Sequence, residues 1–125
     1  MFIVSEAVFP RAQSLIPLLP GYTQLTPRIG AYVSKINVEE GKDPIYELDM
    51  VLKVQGGVAI VAGASLTEPL ELVKNVKSAT GEKVLYYIGG TNLFVGLKTE
   101  ELYSQLREMR RIAPHIRVYP NFNTS

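Results

Sequence analysis

The sequence predicts a single small α+β domain, with a mixed or antiparallel sheet of about five strands and two main helices near residues 67–80 and 99–113. Three patterns support this fold class. Residues 45–54 alternate apolar and polar side chains, which is typical of a strand with one buried face. Residues 58–62 are uniformly apolar, as in a central strand covered on both faces. The two helical stretches repeat apolar residues at spacings of three and four, as surface helices do.

The alternation within residues 29–54 predicts a β-hairpin whose connecting loop is rich in turn-forming residues. We expect the apolar side chains of its second strand to face the core, because a period of two places alternate residues on one face. The carboxylates Glu47 and Asp49 would then face water. Aligning the apolar sets of the two strands on that face sets Ile36 opposite Leu48.

Capping residues predict the helix limits. Thr67 can cap the first-turn amides of the first helix, and Gly81 is suited to the left-handed position that ends it. A second hairpin is predicted from strands at residues 83–88 and 93–98. Thr99 would cap the second helix, whose last turns are rich in arginine, as the helix dipole favours.

The chain is interpreted as one domain covering residues 1–125, since this length matches one ordinary hydrophobic core. Residues 1–28 are predicted to form an irregular N-terminal segment, because prolines interrupt any continuous helix there. Residues 116–119 are suited to a short final strand, and residues 120–125 are predicted to form a loose tail.

Composition excludes several classes of site. The chain has no cysteine and a single histidine, so it has no disulfide, no thiolate nucleophile and no multi-histidine metal site within one subunit. We therefore predict neither a metal nor a cofactor. The net charge of +1 argues against electrostatic recruitment as the main activity. No apolar run or leader pattern indicates a membrane span or secretion, so we expect a cytoplasmic protein without a membrane partner.

The strand, turn and helix at residues 58–68 contain the first candidate ligand site, formed by Gly63, Ser65 and Thr67. A helix N-terminus that follows a small-residue turn directs free amides toward one point, where an anion is stabilised. The turn matches neither the dinucleotide fingerprint nor the P-loop, and Glu68 is negative where a phosphate would lie. A small anion-binding or nucleotide-binding enzyme domain is therefore one alternative function, beside a purely structural turn.

Basic residues concentrate around the end of the second helix, and two tyrosines lie near them in the sequence. Arginines and aromatic rings in this arrangement are suited to a phosphate backbone and to base stacking, so nucleic-acid binding is a second alternative. Dipole complementation of the helix end is the structural explanation of the same arginines. The candidate residues are Arg107, Arg110, Arg111, Arg117 and Tyr119.

Both faces of the strand at residues 83–88 carry apolar side chains, which indicates that one face docks on a partner or that a helix covers each. The interface candidates are Leu85, Tyr87 and Phe94. No catalytic set is recognisable in the sequence. We therefore interpret the protein as a non-catalytic interaction or assembly module that acts as a homo-oligomer or complex subunit, with itself as the expected partner and nucleic acid as a possible one.

Overall fold

The computed structural model describes residues 2–4, 15–37, 39–63, 67–89 and 98–119, and it confirms the α+β class. The strands are β1 (Phe2–Val4), β2 (Leu15–Pro17), β3 (Gly21–Gln24), β4 (Ile29–Ile36), β5 (Ile45–Val54), β6 (Gly57–Ala62), β7 (Val84–Gly89) and β8 (Arg117–Tyr119). The helices are α1 (Pro69–Thr80) and α2 (Thr99–Ile112). Within these ranges, no helix is both long and apolar enough to cross a lipid bilayer.

The described strands form a mixed six-stranded sheet in the order β3-β4-β5-β6-β7-β8, so the expected number of about five is close. Strands β3 to β6 are antiparallel neighbours, whereas β6, β7 and β8 are parallel. Parallel neighbours need a crossover connection, and α1 and α2 lie in the two crossovers. A separate parallel pair joins β1 to β2. The segment expected to be irregular, residues 1–28, thus contains three short strands.

Both helices pack on the same face of the sheet. The two crossovers step in the same direction, from β6 to β7 to β8. Because such connections are right-handed, each crossover places its helix on the same side. The helix side holds the main core, which consists of Val51, Val58, Ile60, Ala62, Leu72, Val73, Val76, Val84, Tyr87, Met109, Ala113 and Ile116. Lys77 of α1 also donates to the carbonyl oxygen of Ile112 at the end of α2, at 2.6 Å.

The central strand β6 is buried along nearly its whole length, as its uniform apolar sequence predicts. Val58 and Ile60 lie in the helix-side core, whereas Ala59 is buried on the opposite face between Leu52 and Tyr86 of the neighbouring strands. The predicted strand at residues 83–88 forms as β7, parallel to β6. The second strand of the predicted hairpin lies mostly outside the described residues.

The predicted register of the β4–β5 hairpin is wrong. Ile36 lies opposite Ile45 rather than Leu48, and Asp49 lies opposite Tyr32. The observed pairing is shifted by three residues from the predicted one. Because three is an odd number, side chains of β4 and β5 that were expected on the same face of the hairpin lie on opposite faces. As a result Asp49 is buried on the helix side, whereas Leu48 is exposed on the other face. Both observations contradict the orientation expected from the sequence.

The helix limits match the prediction closely, although the capping residues differ. The N-cap positions are Glu68 and Lys98, and neither side chain makes a capping hydrogen bond. Thr67 and Thr99 are therefore not the caps. Gly81 does end α1 in the left-handed conformation, with a φ of 67°. Its amide donates to the carbonyl of the last turn, which satisfies one of the free acceptors there.

Candidate functional site

Two carboxylates of β5 lie on the helix side of the sheet. Asp49 is only 3% exposed, and its Oδ2 atom has no hydrogen-bond partner among the described residues. Glu47 is half-buried, and its Oε2 atom accepts hydrogen bonds from Thr67, at 3.2 Å from the backbone nitrogen and 2.9 Å from the hydroxyl oxygen. Glu47 thus links the residue before α1 to the middle of the sheet.

Burial raises the pKa of two groups on the helix side, Asp49 and Tyr87. Removal from water raises the pKa of Asp49 to about 6, and the nearby charge of Glu47 adds to that shift. Burial also raises the pKa of the Tyr87 phenol, with smaller contributions from Asp49 and then Glu47. Asp49 therefore exchanges a proton near pH 6, as many acid–base catalysts do. Its side chain is enclosed, however, so a substrate has no access to it and we assign it a structural role.

In the turn proposed as an anion site, the Thr67 amide is already hydrogen-bonded within the protein. The backbone nitrogen of Thr67 donates to Glu47, so it is not directed toward a ligand. A carboxylate at that position also repels an anion. Gly63 is exposed, with open space around its α-carbon, and Ser65 lies outside the described residues.

A cleft of about 670 Å³ runs between α2 and the edge strand β8. It brings together four of the five residues singled out as a nucleic-acid site. The cleft is lined by Tyr103, Leu106, Arg107, Met109, Arg110, Ile116, Arg117, Val118 and Tyr119. The fifth candidate, Arg111, does not line it and instead forms an ion pair with Glu108, at 2.9 Å from Nη2 to Oε2. The hydrogen bond from Arg111 lowers the pKa of Glu108.

The second face of the sheet carries no described helix, and we call it the helix-free face. One cross-strand row of this face spans five strands, through Ala31, Met50, Val61, Ile88 and Tyr119. Five large side chains on this face are between 39% and 51% exposed: Tyr46, Leu48, Met50, Ile88 and Tyr119. At 4.8 Å between strands, the row is roughly 19 Å long.

Of the expected interface residues, Tyr87 does not contribute to this surface. Tyr87 is fully buried in the core and offers no surface to a partner, Leu85 is half-buried, and Phe94 lies outside the described residues. Their neighbours Tyr86 and Ile88 are the residues of β7 that lie on the helix-free face. The alternation in the sequence separates the two faces of β7. It does not show which of the two faces the helices cover.

The metal-donor side chains of the described residues are not grouped. The chain has no cysteine and one histidine, and within the described ranges no three His, Cys, Asp or Glu residues lie close enough to hold a metal ion. His115 lines a different cleft, together with the lysines Lys77 and Lys83. Glu47 and Asp49 share the helix side of β5, but Asp49 is enclosed.

Comparison with known proteins gives a likeness of fold. No protein-family model matches the chain, and no curated protein sequence does. A solved structure that is similar is that of Tm1679, described as a metal-dependent hydrolase of the beta-lactamase superfamily. The TM-score is 0.66 at 12% sequence identity, over 86% of this chain and 47% of that one. The chain thus spans about half the length of this structural neighbour.

Proposed function

We propose that the protein is a non-catalytic assembly module that forms a homodimer through its helix-free face. The observation that supports this proposal is the apolar row across five strands, in which Met50, Ile88 and Tyr119 are 39% to 48% exposed and Ala31 at the β4 end is buried. A large exposed apolar surface on a sheet is typical of a protein interface, because leaving it in water carries a cost proportional to its area.

The exposed area of these side chains is about half of what a standard dimer interface buries on each partner. With roughly 200 Å² for a fully exposed side chain of this size, the five exposed residues contribute about 450 Å². The half-buried residues Leu52, Val61 and Tyr86 lie among them and add to this area. A standard interface buries roughly 800 Å² on each partner, so most of the helix-free face would be covered.

The distribution of charge also favours a second copy as the occupant. The charged residues of β5 are Glu47, Asp49 and Lys53, and all three lie on the helix side of the strand. Lys53 is paired there with Glu82, at 2.7 Å. Two copies can therefore approach face to face along β5 without burying like charges, provided that Lys35, opposite Tyr46, and Arg117, opposite Tyr86, stay at the rim of the interface.

The solved structure that is similar shows a likeness of fold alone, at 12% sequence identity. The hydrolytic activity in that neighbour's description is not proposed here, because the described donor side chains do not fit a metal centre.

Sedimentation velocity between about 1 and 100 µM tests the proposal. We expect a monomer–dimer equilibrium in this range, and we expect Leu48→Glu to shift it to monomer, because the new carboxylate would be buried against its symmetry mate. Leu19→Glu is the matched control, since Leu19 is 73% exposed and precedes β3, outside the strands that form the six-stranded sheet. It should leave the equilibrium unchanged.

Circular dichroism on both variants checks that the fold is intact. A wild-type protein that stays monomeric at 100 µM contradicts self-association. A dimer that survives Leu48→Glu with the fold intact contradicts the choice of surface, since an unpaired buried charge costs several kcal/mol.

A further inference from the structure

The cleft between α2 and β8 concentrates positive charge that no described carboxylate neutralises. Arg107 and Arg110 lie three residues apart on α2, which places them on neighbouring positions of one helix surface. Arg117 of β8 also lines the cleft, from the sheet edge where it lies opposite Tyr86. None of the three forms an ion pair with a described residue, whereas the adjacent Arg111 is paired with Glu108 outside the cleft. Three arginines without a described ion pair therefore line one cavity.

Two tyrosines border the same cavity from its two sides. Tyr103 lies on α2 and is 59% exposed, and Tyr119 lies on β8. The ring of Tyr119 stacks on Tyr86 with 6.3 Å between centroids, so its position is fixed by the sheet. Leu106, Met109 and Val118 provide apolar walls. Guanidinium groups beside aromatic and apolar walls can hold a phosphate chain and a flat ring together.

We propose that this cleft binds a nucleoside polyphosphate, with the phosphates on Arg107, Arg110 and Arg117 and the base against a tyrosine. The volume of about 670 Å³ lies within the range of small-molecule sites. Three guanidinium groups match the roughly three negative charges of a nucleoside diphosphate, and each can bind phosphate oxygens in a bidentate manner. Tyr119 borders both this cleft and the helix-free face, so nucleotide binding is tested on the monomeric protein as well as on the wild type.

A free nucleotide is favoured over a polynucleotide by the surroundings of the cleft. A strand of nucleic acid needs a basic track that extends beyond one pocket. Here the chain has a net charge of only +1. The same helix exposes Glu100, Glu101 and Glu108. These carboxylates repel a phosphate backbone that continues past the cleft.

Isothermal titration with ADP, ATP, inorganic triphosphate and a ten-nucleotide single strand tests the proposal. We expect dissociation constants of about 10–100 µM for the nucleotides at 50 mM salt, and weaker binding at 200 mM. Arg117→Gln and Arg110→Gln should each weaken nucleotide binding about tenfold. Arg111→Gln, on the same helix but outside the cleft, should leave it within twofold.

The tyrosine contribution has its own control. Tyr103→Leu should weaken ADP binding about fivefold and leave inorganic triphosphate unchanged, because only the nucleotide has a ring to stack. Absence of ADP and ATP binding at 1 mM, or equal losses in the Arg111 and Arg117 variants, would overturn the proposal. Tighter binding of the single strand than of ADP would assign the cleft to nucleic acid instead. The Leu48→Glu monomer should bind ADP normally, which separates this test from that of the dimer.

Discussion

Replacing Asp49 with asparagine should make the protein relatively more stable at neutral pH than at acidic pH. The pKa of this carboxyl rises from 3.8 in an unfolded chain to about 6 in the folded protein, mainly because the side chain is buried. Each pKa unit corresponds to about 1.4 kcal/mol, so the shift amounts to about 2 to 3 kcal/mol of folding free energy. Asparagine has the same shape but does not ionise.

The sign follows from the order of the two pKa values. Between pH 4 and 6 the unfolded chain loses the Asp49 proton and the folded protein keeps it, so a rise in pH favours unfolding. Above pH 6 both states are ionised and the loss is complete. The contribution of this carboxyl to stability is therefore fully retained below about pH 4. The asparagine variant lacks this dependence.

Urea unfolding of the wild type and the Asp49→Asn variant at pH 4.0 and pH 7.5 measures the effect. We expect the stability difference, variant minus wild type, to be about 2 kcal/mol more favourable at pH 7.5. Comparing the two pH values cancels any constant cost of an unpaired asparagine amide. Asp43→Asn, in the exposed loop before β5, is the control and should give the same difference at both pH values. Equal differences for Asp49→Asn would refute the argument that burial holds its proton.

Two further substitutions test the packing of the sheet. Gly57→Ala should destabilise the protein by about 2 kcal/mol, because a β-carbon there would clash with the backbone carbonyl of Lys83. Gly63→Ala, with open space around it, should cost less than about 0.5 kcal/mol in the same thermal unfolding series. Thr67→Val removes the hydroxyl bonded to Glu47 and should reduce the free energy of unfolding by about 1 to 2 kcal/mol. Thr67→Ser keeps the hydroxyl and should recover most of that loss. Equal losses in the two variants would show that the hydroxyl does not contribute.

Local patterns predicted the elements well. Apolar spacing located both helices to within two residues, and Gly81 identified the end of α1, because a left-handed C-cap is a local requirement that glycine meets. The uniform apolar run of β6 likewise predicted a central strand, because its residues are buried on both faces of the sheet. The N-cap of α1 was less predictable, since Thr67 could bond either the first-turn amides of the helix or a side chain elsewhere in the fold. The carboxylate that binds it, Glu47, comes from twenty residues earlier in the chain, so no local pattern indicates the contact.

The arginine cleft was predicted only in part. Arg107 and Arg110 lie on one helix, so their proximity follows from helical spacing. Arg117 joins them because β8 pairs with β7 and returns beside α2, which is a matter of strand order. The exclusion of Arg111 depends on its ion pair with Glu108, three residues away. Helix geometry permits that pair without requiring it.

The orientation of β5 shows that a period of two in the sequence does not determine which face of a strand is buried. Alternation identifies which side chains share a face, but the covered face is decided by where the crossover helices pack. Here both crossovers place their helices on the side of Asp49 and Val51. The more apolar set, which includes Leu48 and Met50, is left exposed. A buried carboxylate and exposed large apolar residues each cost free energy in a monomer. The cost of the exposed apolar residues is relieved when their face is covered. The same inversion that makes the sequence-based register wrong is therefore the physical argument for the dimer.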